Sequence, residues 1–372
     1  MFAPQTTNSP LSNTTMLRNL VPFSLLLTPA LLAQQFHVIP AAYSSQDAVS
    51  MLWIPGASRD VRHQTLIGQS HLQNLLGRTI TALQLRRSVA DETFTGGVAD
   101  LTVILSTTTC TPLTASRTFA GNHGSNLATV FQGTISIPTS AATATTPGWT
   151  PTDSIRVALQ QPFVYTGGTL VIDLRGTTIA GQTADWWPAD AAFEDLNGTA
   201  TEVAPGCGNY GGANGRWSYV DPRTLLVGAA AHFWAQGPAN SFGLAVFGQA
   251  MTPGLPLANF GLSAPGCNLN ILPPSVVATA IAAFAPAGDP RLASRDGIAD
   301  LYFPIPNVPI SLSLALTTQW FEFSAPATSN AIQWSICGVA PTLDMALVEG
   351  HPSQPTGNVR VHMAHVWRLE HQ

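Results

Sequence analysis

The chain has 372 residues, of which only 9% are charged, and its formal net charge is -5. All of its basic residues are arginine, and the lack of lysine excludes Schiff-base catalysis and a P-loop phosphate site. The arginines are scattered and form no basic stripe, so we expect no nucleic-acid partner.

The first 33 residues have the pattern of a signal peptide. Arg18 precedes an apolar run from Leu20 to Leu32, and Ala33 is a small residue suited to a cleavage site, with Met16 as a candidate start. The alternative is a membrane anchor, but the run contains two prolines and is shorter than the ~20 residues that span a bilayer. We therefore expect a mature protein that is secreted, periplasmic or on the cell surface, with no membrane span.

Residues 34–203 contain short runs in which apolar and polar residues alternate, and Gly, Pro, Asn or Asp separate these runs. Such runs predict β-strands, and no segment shows the sustained period of an amphipathic helix. The predicted strands are Gln64–Ile67, Thr79–Arg86, Ala99–Leu105, Ala128–Ile137, Ser154–Leu159 and Thr169–Leu174. We expect a first β-sandwich or jelly roll over residues 34–203.

Two adjacent tryptophans, Trp186 and Trp187, lie near the end of this predicted sandwich. The carboxylates that flank them are Asp185, Asp190, Glu194 and Asp195. Exposed indole rings stack on the apolar faces of sugars while acids bind the hydroxyls, so these six residues form a candidate ligand-binding site. The alternative is that one tryptophan plugs the end of the sandwich and the acids are solvated loop residues. Two of the acids would also suit glycoside hydrolysis, which needs carboxyl groups about 5 to 10 Å apart.

Two acidic loops raise the question of calcium, whose oxygen ligands cluster in such loops. One loop carries Asp91, Glu92 and Asp100, and the other carries Asp296 and Asp300. Neither has the spacing of an EF-hand, and ordinary polar turns explain both. We therefore predict no cofactor and no metal site, with calcium as the alternative.

From residue 204 onward, strand-like runs alternate with proline-rich connectors. In the run Ser311–Phe323 every second residue from Leu312 to Leu316 is leucine, which is typical of a strand with one buried face. The predicted strands are Trp217–Tyr219, Leu225–Ala230, Phe242–Gln249, Val276–Phe284, Asp300–Phe303, Ser311–Phe323, Ala331–Ile336 and a closing strand over Gly357–Leu369. We expect a second β-sandwich over residues 204–372, so the fold class is all-β with two tandem sandwiches or jelly rolls.

The four cysteines, Cys110, Cys207, Cys267 and Cys337, allow three pairings. Cys207 and Cys267 both lie beside glycines, and in an exported chain we predict that these two form a disulfide. No C-x-x-C motif is present. His362 and His365 would point to opposite faces of the closing strand, which argues against a shared metal ion.

Several sequence blocks carry a resemblance to a known group of proteins. They are Leu85–Arg87, Leu105–Ser106, Phe119–Asn122, Pro162–Tyr165, Pro265–Leu269, Ile305–Pro309 and Gln319–Ala331. In these blocks the chain resembles exported two-domain β-rich proteins of planctomycetes, whose C-terminal domain has a Gly-Cys, a Pro-Gly-Cys-x-Leu, a glutamine strand and a Ser-Asn-Ala in that order. The resemblance spans nearly the whole mature chain, and it implies export and a β-rich fold but no reaction. Cys110 and Cys337 fall outside the pattern.

Two functional hypotheses follow from these observations. The first is a secreted, non-catalytic structural or binding protein of the cell surface or extracellular space, which recognises a polysaccharide or another component of the cell envelope. The second is a carbohydrate-active hydrolase that uses the carboxylates near Trp186 and Trp187. The chain has no G-x-S-x-G or H-E-x-x-H motif and no G-x-G-x-x-G that opens a helix, which favours the first hypothesis.

Overall fold

The computed structural model describes residues 34–372 except 49, 185–186, 211–214, 286–295, 307, 309–310, 312–313, 325 and 340. The predicted signal peptide therefore lies outside the described residues, as do Asp185 and Trp186. The all-β fold class is confirmed, since strands make up 52% of the chain and the described residues contain no α-helix. No helix in this part of the protein is long and apolar enough to cross a membrane.

The described residues form 24 strands, which we number in chain order. They are β1 Gln35–Ile39, β2 Ser50–Trp53, β3 Val61–Ile67, β4 Thr79–Arg86, β5 Gly97–Thr108, β6 Ala128–Ile137, β7 Ser154–Val164, β8 Thr169–Thr178, β9 Pro188–Phe193, β10 Thr199–Ala204, β11 Ser218–Val220, β12 Ala230–Pro238, β13 Phe242–Gly248, β14 Ala250–Pro256, β15 Asn268–Ile271, β16 Ala278–Ala283, β17 Asp296–Pro304, β18 Ala315–Glu322, β19 Ala327–Thr328, β20 Ala331–Ser335, β21 Met345–Gly350, β22 Asn358–Val361, β23 Met363–His365 and β24 Trp367–His371.

Short 3-10 turns connect several of the strands. They are Ala41–Tyr43, Gln69–His71, Gln73–Leu75, Pro112–Thr114, Phe119–Asn122, Pro222–Thr224, Leu257–Phe260 and Pro273–Ser275. Proline occurs at the start of the turns at 112, 222 and 273, where its fixed φ suits the first helical residue and its missing N–H costs no hydrogen bond.

Two antiparallel sheets form the first sheet pair. Their strand orders are β1-β24-β4-β7 and β22-β21-β3-β8-β5-β6, and a smaller sheet, β2-β9-β23, lies beside them. Both large sheets contribute to the larger hydrophobic core, in which Leu83, Leu105, Ile172 and Trp367 are at most 1% exposed. In β5 the alternating residues Leu101, Val103 and Leu105 supply this core, as the period of two along a strand requires.

The last strands of the chain belong to the first sheet pair. Leu347 in β21 pairs with Thr65 in β3, and Leu369 in β24 pairs with His37 in β1 and with Leu83 in β4. This arrangement differs from our expectation that residues 204–372 together form a C-terminal sandwich. The alternation in residues 343–372 indicates a buried face, but it carries no information about which sheet receives the strands.

The closing strand expected over Gly357–Leu369 is divided into β22, β23 and β24. His362 has a φ of 57°, in the left-handed region that non-glycine residues seldom adopt, and this residue separates β22 from β23. Because of the break, β22 pairs with β21, while β23 pairs with β9 and β24 joins β1 and β4.

The second sheet pair consists of a sheet with the order β10-β20-β18-β13-β16, with β19 beside β18, and a sheet with the order β11-β12-β17. Its core contains Phe233, Phe247, Trp320 and Trp334, all at most 2% exposed. The ring of Phe233 lies 5.1 Å from that of Phe247 and 5.2 Å from that of Trp334. Residues 34–372 form one compact unit that contains both sheet pairs.

The predicted disulfide between Cys207 and Cys267 is present, with the two Cα atoms 5.1 Å apart. It joins the segment after β10 to the turn that leads into β15, and Cys267 packs in a small cluster with Leu257 and Ala264. Cys110 and Cys337 are free thiols, and both are half-buried. The disulfide therefore fastens the β14–β15 hairpin to the second sheet pair.

We expect the disulfide to contribute strongly to stability. Its loop spans 60 residues, and a disulfide that closes such a loop restricts the conformations of the unfolded chain. On the chain-entropy model this restriction raises the free energy of unfolding by about 4 kcal/mol. The double variant Cys207→Ser/Cys267→Ser should therefore unfold at lower urea concentration than the wild type. The matched control is Cys110→Ser/Cys337→Ser, which should retain the wild-type midpoint. Equal midpoints for the two double variants would contradict a stabilising role.

Candidate ligand-binding cleft

Trp187 is a core residue of the first sheet pair. It is 0% exposed, its indole Nε1 donates a hydrogen bond to the Pro138 carbonyl at 3.0 Å, and the Phe94 ring meets it edge-on at 5.9 Å. A fully buried ring with its polar atom satisfied presents no face to a sugar. Trp187 is thus a core residue, which agrees with the alternative to the sugar-stacking hypothesis.

The described carboxylates near Trp187 have separate partners. Asp190 is 0% exposed and accepts a hydrogen bond from Arg86 Nε at 2.8 Å. Burial, followed by the neighbouring Asp47 carboxyl, raises the pKa of Asp190 to about 8, while Arg86 acts in the opposite direction.

Beyond the end of β9, Glu194 accepts hydrogen bonds from the Thr342 backbone N–H, at 3.0 Å, and from the Thr342 hydroxyl. Asp195 is exposed and accepts from Asn197 at 2.7 Å. Among its described members, the expected cluster of two tryptophans and four acids therefore does not converge on a common surface. Both faces of β9 are buried from Pro188 to Ala192, which encloses Asp190, and Glu194 and Asp195 follow after the strand.

A cleft of about 670 Å³ lies between the two sheet pairs. One wall is the outer face of the sheet β11-β12-β17, and the other is formed by β22, β23, the intervening His362 and Phe193 at the end of β9. Residues from distant parts of the chain meet here because the C-terminal strands return to the first sheet pair.

Three aromatic rings cover the first wall. The Trp234 ring centroid lies 4.7 Å from that of Trp217 and 5.7 Å from that of Tyr219, with interplanar angles of 63° and 49°. Trp217 is 46% exposed, so part of this surface is open to solvent. Rings at these separations touch one another, and together they form a continuous apolar surface.

Strand register explains why these aromatic residues share a face. Tyr219 in β11 pairs directly with Trp234 in β12, and the residues on either side of Trp234, Phe233 and Ala235, are 0% exposed in the core. Because side chains alternate along a strand, burial of Phe233 directs Trp234 outward. The outer face of β12 therefore belongs to the cleft.

Polar groups on this wall are arranged in pairs. His232 Nε2 lies 2.8 Å from Asp300 Oδ1, and the imidazole stacks on Tyr302 with ring centroids 4.5 Å apart. Arg117 reaches the same carboxylate at 3.5 Å and lies over the Tyr302 ring. The Asp300 carboxylate is thus shared by two basic side chains.

A second charge pair lies beside the aromatic surface. Arg223 binds the Asp221 carboxylate through Nε at 2.9 Å and through Nη2 at 3.0 Å. The hydrogen bond to Asp221 raises the pKa of Arg223, and burial, followed by Asp221, raises the pKa of Tyr219. The cleft therefore offers hydrogen-bonding groups that are held in ion pairs.

His362 connects the two walls of the cleft. Its ring lies 5.5 Å from the ring of Phe193, and its Nε2 donates a hydrogen bond to the backbone carbonyl of Arg223 at 3.2 Å. Arg360, on the same wall, forms an ion pair with Glu349 at 3.2 Å. The backbone of His362 is left-handed, and β22 ends and β23 begins on either side of this residue, at the wall of the cleft.

The sequence predicts a strand at Trp217–Tyr219, but it does not mark that strand or Trp234 as functional. A weak signal was present, because His232, Trp234 and Gln236 alternate with Phe233 and Ala235. The signal shows that β12 has two faces, but the pairing of Trp234 with Tyr219 requires the sheet register.

No group of three or more histidine, cysteine, aspartate or glutamate side chains in the described part of the chain is arranged to hold a metal ion. Of the acids considered for calcium, Asp100 lies in β5 and accepts a hydrogen bond from Thr134 at 2.7 Å, and Asp296 lies at the start of β17 and forms an ion pair with Arg216 at 2.8 Å. The chain matches no known protein-family model and no curated protein sequence.

His365 lies away from the cleft, in a buried pair with His63. Nε2 of His365 is 3.0 Å from Nδ1 of His63, and both side chains are at most 1% exposed. Burial lowers the pKa of His365 to about 3, and burial followed by the charge of His365 lowers the pKa of His63. Both imidazoles are therefore neutral near pH 7, and one ring donates its N–H to the other.

The histidine pair should make the protein acid-sensitive. The pKa of a histidine in the unfolded chain is near 6.5, whereas the pKa of folded His365 is about 3. The unfolded state therefore binds a proton more readily than the folded state does. The free energy of unfolding is at its full value above pH 6.5 and declines as the pH falls toward 3. Because of His365 alone, we expect the free energy of unfolding to be about 2 kcal/mol lower at pH 5 than at pH 8. Urea unfolding at these two pH values measures the difference.

The variant His365→Gln keeps a hydrogen-bonding side chain beside His63 but does not titrate, so its stability should depend less on pH. His351→Gln is the matched control, because His351 is exposed. If His365→Gln retained the full pH dependence of the wild type, the histidine pair would not be its source.

Proposed function

We propose that this protein is a secreted, non-catalytic binding protein of the cell surface or extracellular space, and that it recognises a polysaccharide in the aromatic cleft. The observation that carries the proposal is the contiguous surface of Trp217, Tyr219 and Trp234, with Trp217 46% exposed, on a wall of the cleft. The candidate sugar-binding aromatic residues are therefore these three.

Both components that sugar recognition needs are present in the cleft. The C–H face of a pyranose is apolar and packs on an aromatic ring, while its hydroxyl groups require donors and acceptors placed around that ring. Asp221, Arg223, His232 and Gln236 line the same cleft as the three rings. A cleft of about 670 Å³ between two walls accommodates a segment of a chain of sugars.

The ion pairs at the cleft favour an uncharged polysaccharide. Arg223 is paired with Asp221, and Arg360 shares the Glu349 carboxylate with Arg59. A polyanion would have to compete with these carboxylates for the guanidinium groups.

The location outside the cytoplasm is supported by two independent features. The Cys207–Cys267 disulfide suits an oxidising compartment, where such bonds persist. The N-terminal sequence has the charge, apolar run and small residue of a signal peptide. The resemblance to exported planctomycete proteins agrees with both.

A binding experiment with neutral polysaccharides tests the proposal. A glycan array identifies a ligand, and titration with that ligand, followed by intrinsic tryptophan fluorescence, gives its Kd. Trp217→Ala should raise the Kd at least tenfold, since a lost stacking contact of ~1.4 kcal/mol corresponds to a factor of ten. Trp217 is half-exposed, so the substitution should leave the fold intact.

Phe36→Ala provides the matched control, because Phe36 is 53% exposed on β1 and does not line the cleft. Its Kd should equal that of the wild type. The proposal fails if no polysaccharide on the array binds, or if the Trp217→Ala variant binds as tightly as the control.

The hydrolase hypothesis has less support from the arrangement of the acids. Asp190 is buried against Arg86, and Glu194 is bonded to Thr342. We therefore expect that prolonged incubation with the bound polysaccharide releases no new reducing ends. Release of reducing ends that is abolished by Glu194→Gln but not by Glu349→Gln would instead support a hydrolase that uses the acids near Trp187.

A further inference from the structure

The strand register defines two ends of the cleft wall that β11, β12 and β17 form. Along β12 the cleft-lining side chains are His232, Trp234 and Gln236, and the first and last of these lie ~14 Å apart on an extended strand. Asp221 N donates to His232 O at one end, and Gln236 N donates to Trp217 O at the other. We call the His232 end the inner end of the cleft and the Trp217 end the outer end.

Packed apolar side chains lie beyond the inner end. Leu226 and Ala229, which precede β12, belong to one hydrophobic cluster with Val361 at the end of β22, and all three are at most 5% exposed. Leu113 and Val359 pack against the same cluster. Because Ala229 leads into the second sheet pair and Val361 belongs to the first, the two walls of the cleft are in contact there.

Polar contacts join the walls at the same end. His362 Nε2 donates to the backbone carbonyl of Arg223 at 3.2 Å. Arg117, in the loop between β5 and β6, places its guanidinium over the ring of Tyr302, which pairs with His232. A sugar chain that enters along β12 cannot pass the inner end without breaking these contacts.

The outer end is open to solvent on the β11 side. Trp217 is 46% exposed there, whereas Ile298, which pairs with Gln236 from the β17 side, is 4% exposed. The side chain of Arg223, which follows β11, is 59% exposed. A ligand therefore enters beside Trp217, and any part of it that extends beyond the cleft leaves on the same side.

We propose that the cleft binds the terminal units of a sugar chain and not an internal segment, an inference that rests on the proposed function. The terminal ring reaches the inner end beside His232, and the units behind it pack on Trp217, Tyr219 and Trp234. An internal segment would need an exit at each end of the cleft, and only the outer end provides one.

The inner end also has a group suited to a terminal ring. Such a ring carries a free hydroxyl at a position where an internal ring carries a glycosidic oxygen. A carboxylate has about four acceptor positions, and Arg223 occupies three of those on Asp221 through its backbone N–H, Nε and Nη2. The remaining lone pair of Asp221, which lines the cleft, can accept from this hydroxyl. In an internal unit the next sugar would take the place of the hydroxyl proton and would meet Ala229 and Val361.

Chain length distinguishes recognition of chain ends from recognition of internal segments. A neutral polysaccharide that binds on the array is cut by partial hydrolysis, and the fragments are separated by size. Shortening the chain about tenfold raises the number of ends per gram about tenfold, so the Kd expressed as a mass concentration should fall about tenfold while the molar Kd stays constant. A site for internal segments would give a mass-based Kd that does not change with chain length.

Borohydride reduction of the same fragments identifies the end that binds, because it opens the sugar ring at the reducing end. For fragments whose molar Kd is constant, loss of binding after reduction supports recognition of the reducing end. Retained binding supports recognition of the non-reducing end.

The variant His232→Ala tests whether the terminal unit reaches the inner end. It should raise the molar Kd of the fragments at least tenfold, because the imidazole is a cleft-lining group at that end. The backbone bonds of residue 232 to Thr224 and Asp221 do not involve the imidazole, so the strand should remain in place. The matched control is His351→Ala, at an exposed residue outside the cleft, and it should bind as the wild type does.

The outcomes separate this inference from the proposed function. If no polysaccharide binds, the proposed function and end recognition both fail. If binding occurs and is lost in Trp217→Ala, but the mass-based Kd does not change with chain length, only end recognition fails. End recognition at the inner end also fails if a folded His232→Ala binds as tightly as the control. The chain-length series uses the wild type, so it decides alone if His232→Ala lowers the melting temperature markedly.

Discussion

Backbone pairing of β24 with both β1 and β4 holds the C-terminal end of the chain inside the first sheet pair. Trp367 and Leu369 of β24 are at most 1% exposed in the same core as Ile39 and Leu83. The chain therefore leaves the first sheet pair after β9, forms the second sheet pair, and returns. Without this return, β1 and β4 would have no strand between them, and the first core would lose one of its largest side chains.

The same return creates the candidate site. The segment β22–His362–β23 precedes β24, and it forms the wall of the cleft that faces Trp217 and Trp234. His362 donates to the Arg223 carbonyl across the cleft, so the two walls are joined by a hydrogen bond as well as by the chain. The cleft therefore depends on the pairing of β24 with β1 and β4, which lies at a distance from it. Its aromatic wall depends on the alternation of buried and outward-facing side chains along β12.

Two kinds of tryptophan illustrate how far the sequence determines a role. Trp187 lies next to acidic residues in the sequence, a pattern that suggests a sugar-binding site. In the structure, however, it is buried and hydrogen-bonded to the Pro138 carbonyl. Trp217 and Trp234 stand in less conspicuous surroundings, and they meet at 4.7 Å on the cleft. Exposure is a property of the packed sheets, and neighbouring residue types alone do not reveal it.

Local patterns in the sequence predicted the all-β class, the positions of most strands and the Cys207–Cys267 disulfide, and the structure contains all three. These features follow from local causes, namely a period of two, turn residues between runs, and cysteines in matching glycine contexts. Long-range packing places β21 to β24 in the first sheet pair, buries Trp187, and brings Trp217, Tyr219 and Trp234 onto one surface. Alternation specifies which face of a strand is buried, whereas the partner and the register of that strand depend on residues up to hundreds of positions away in the chain.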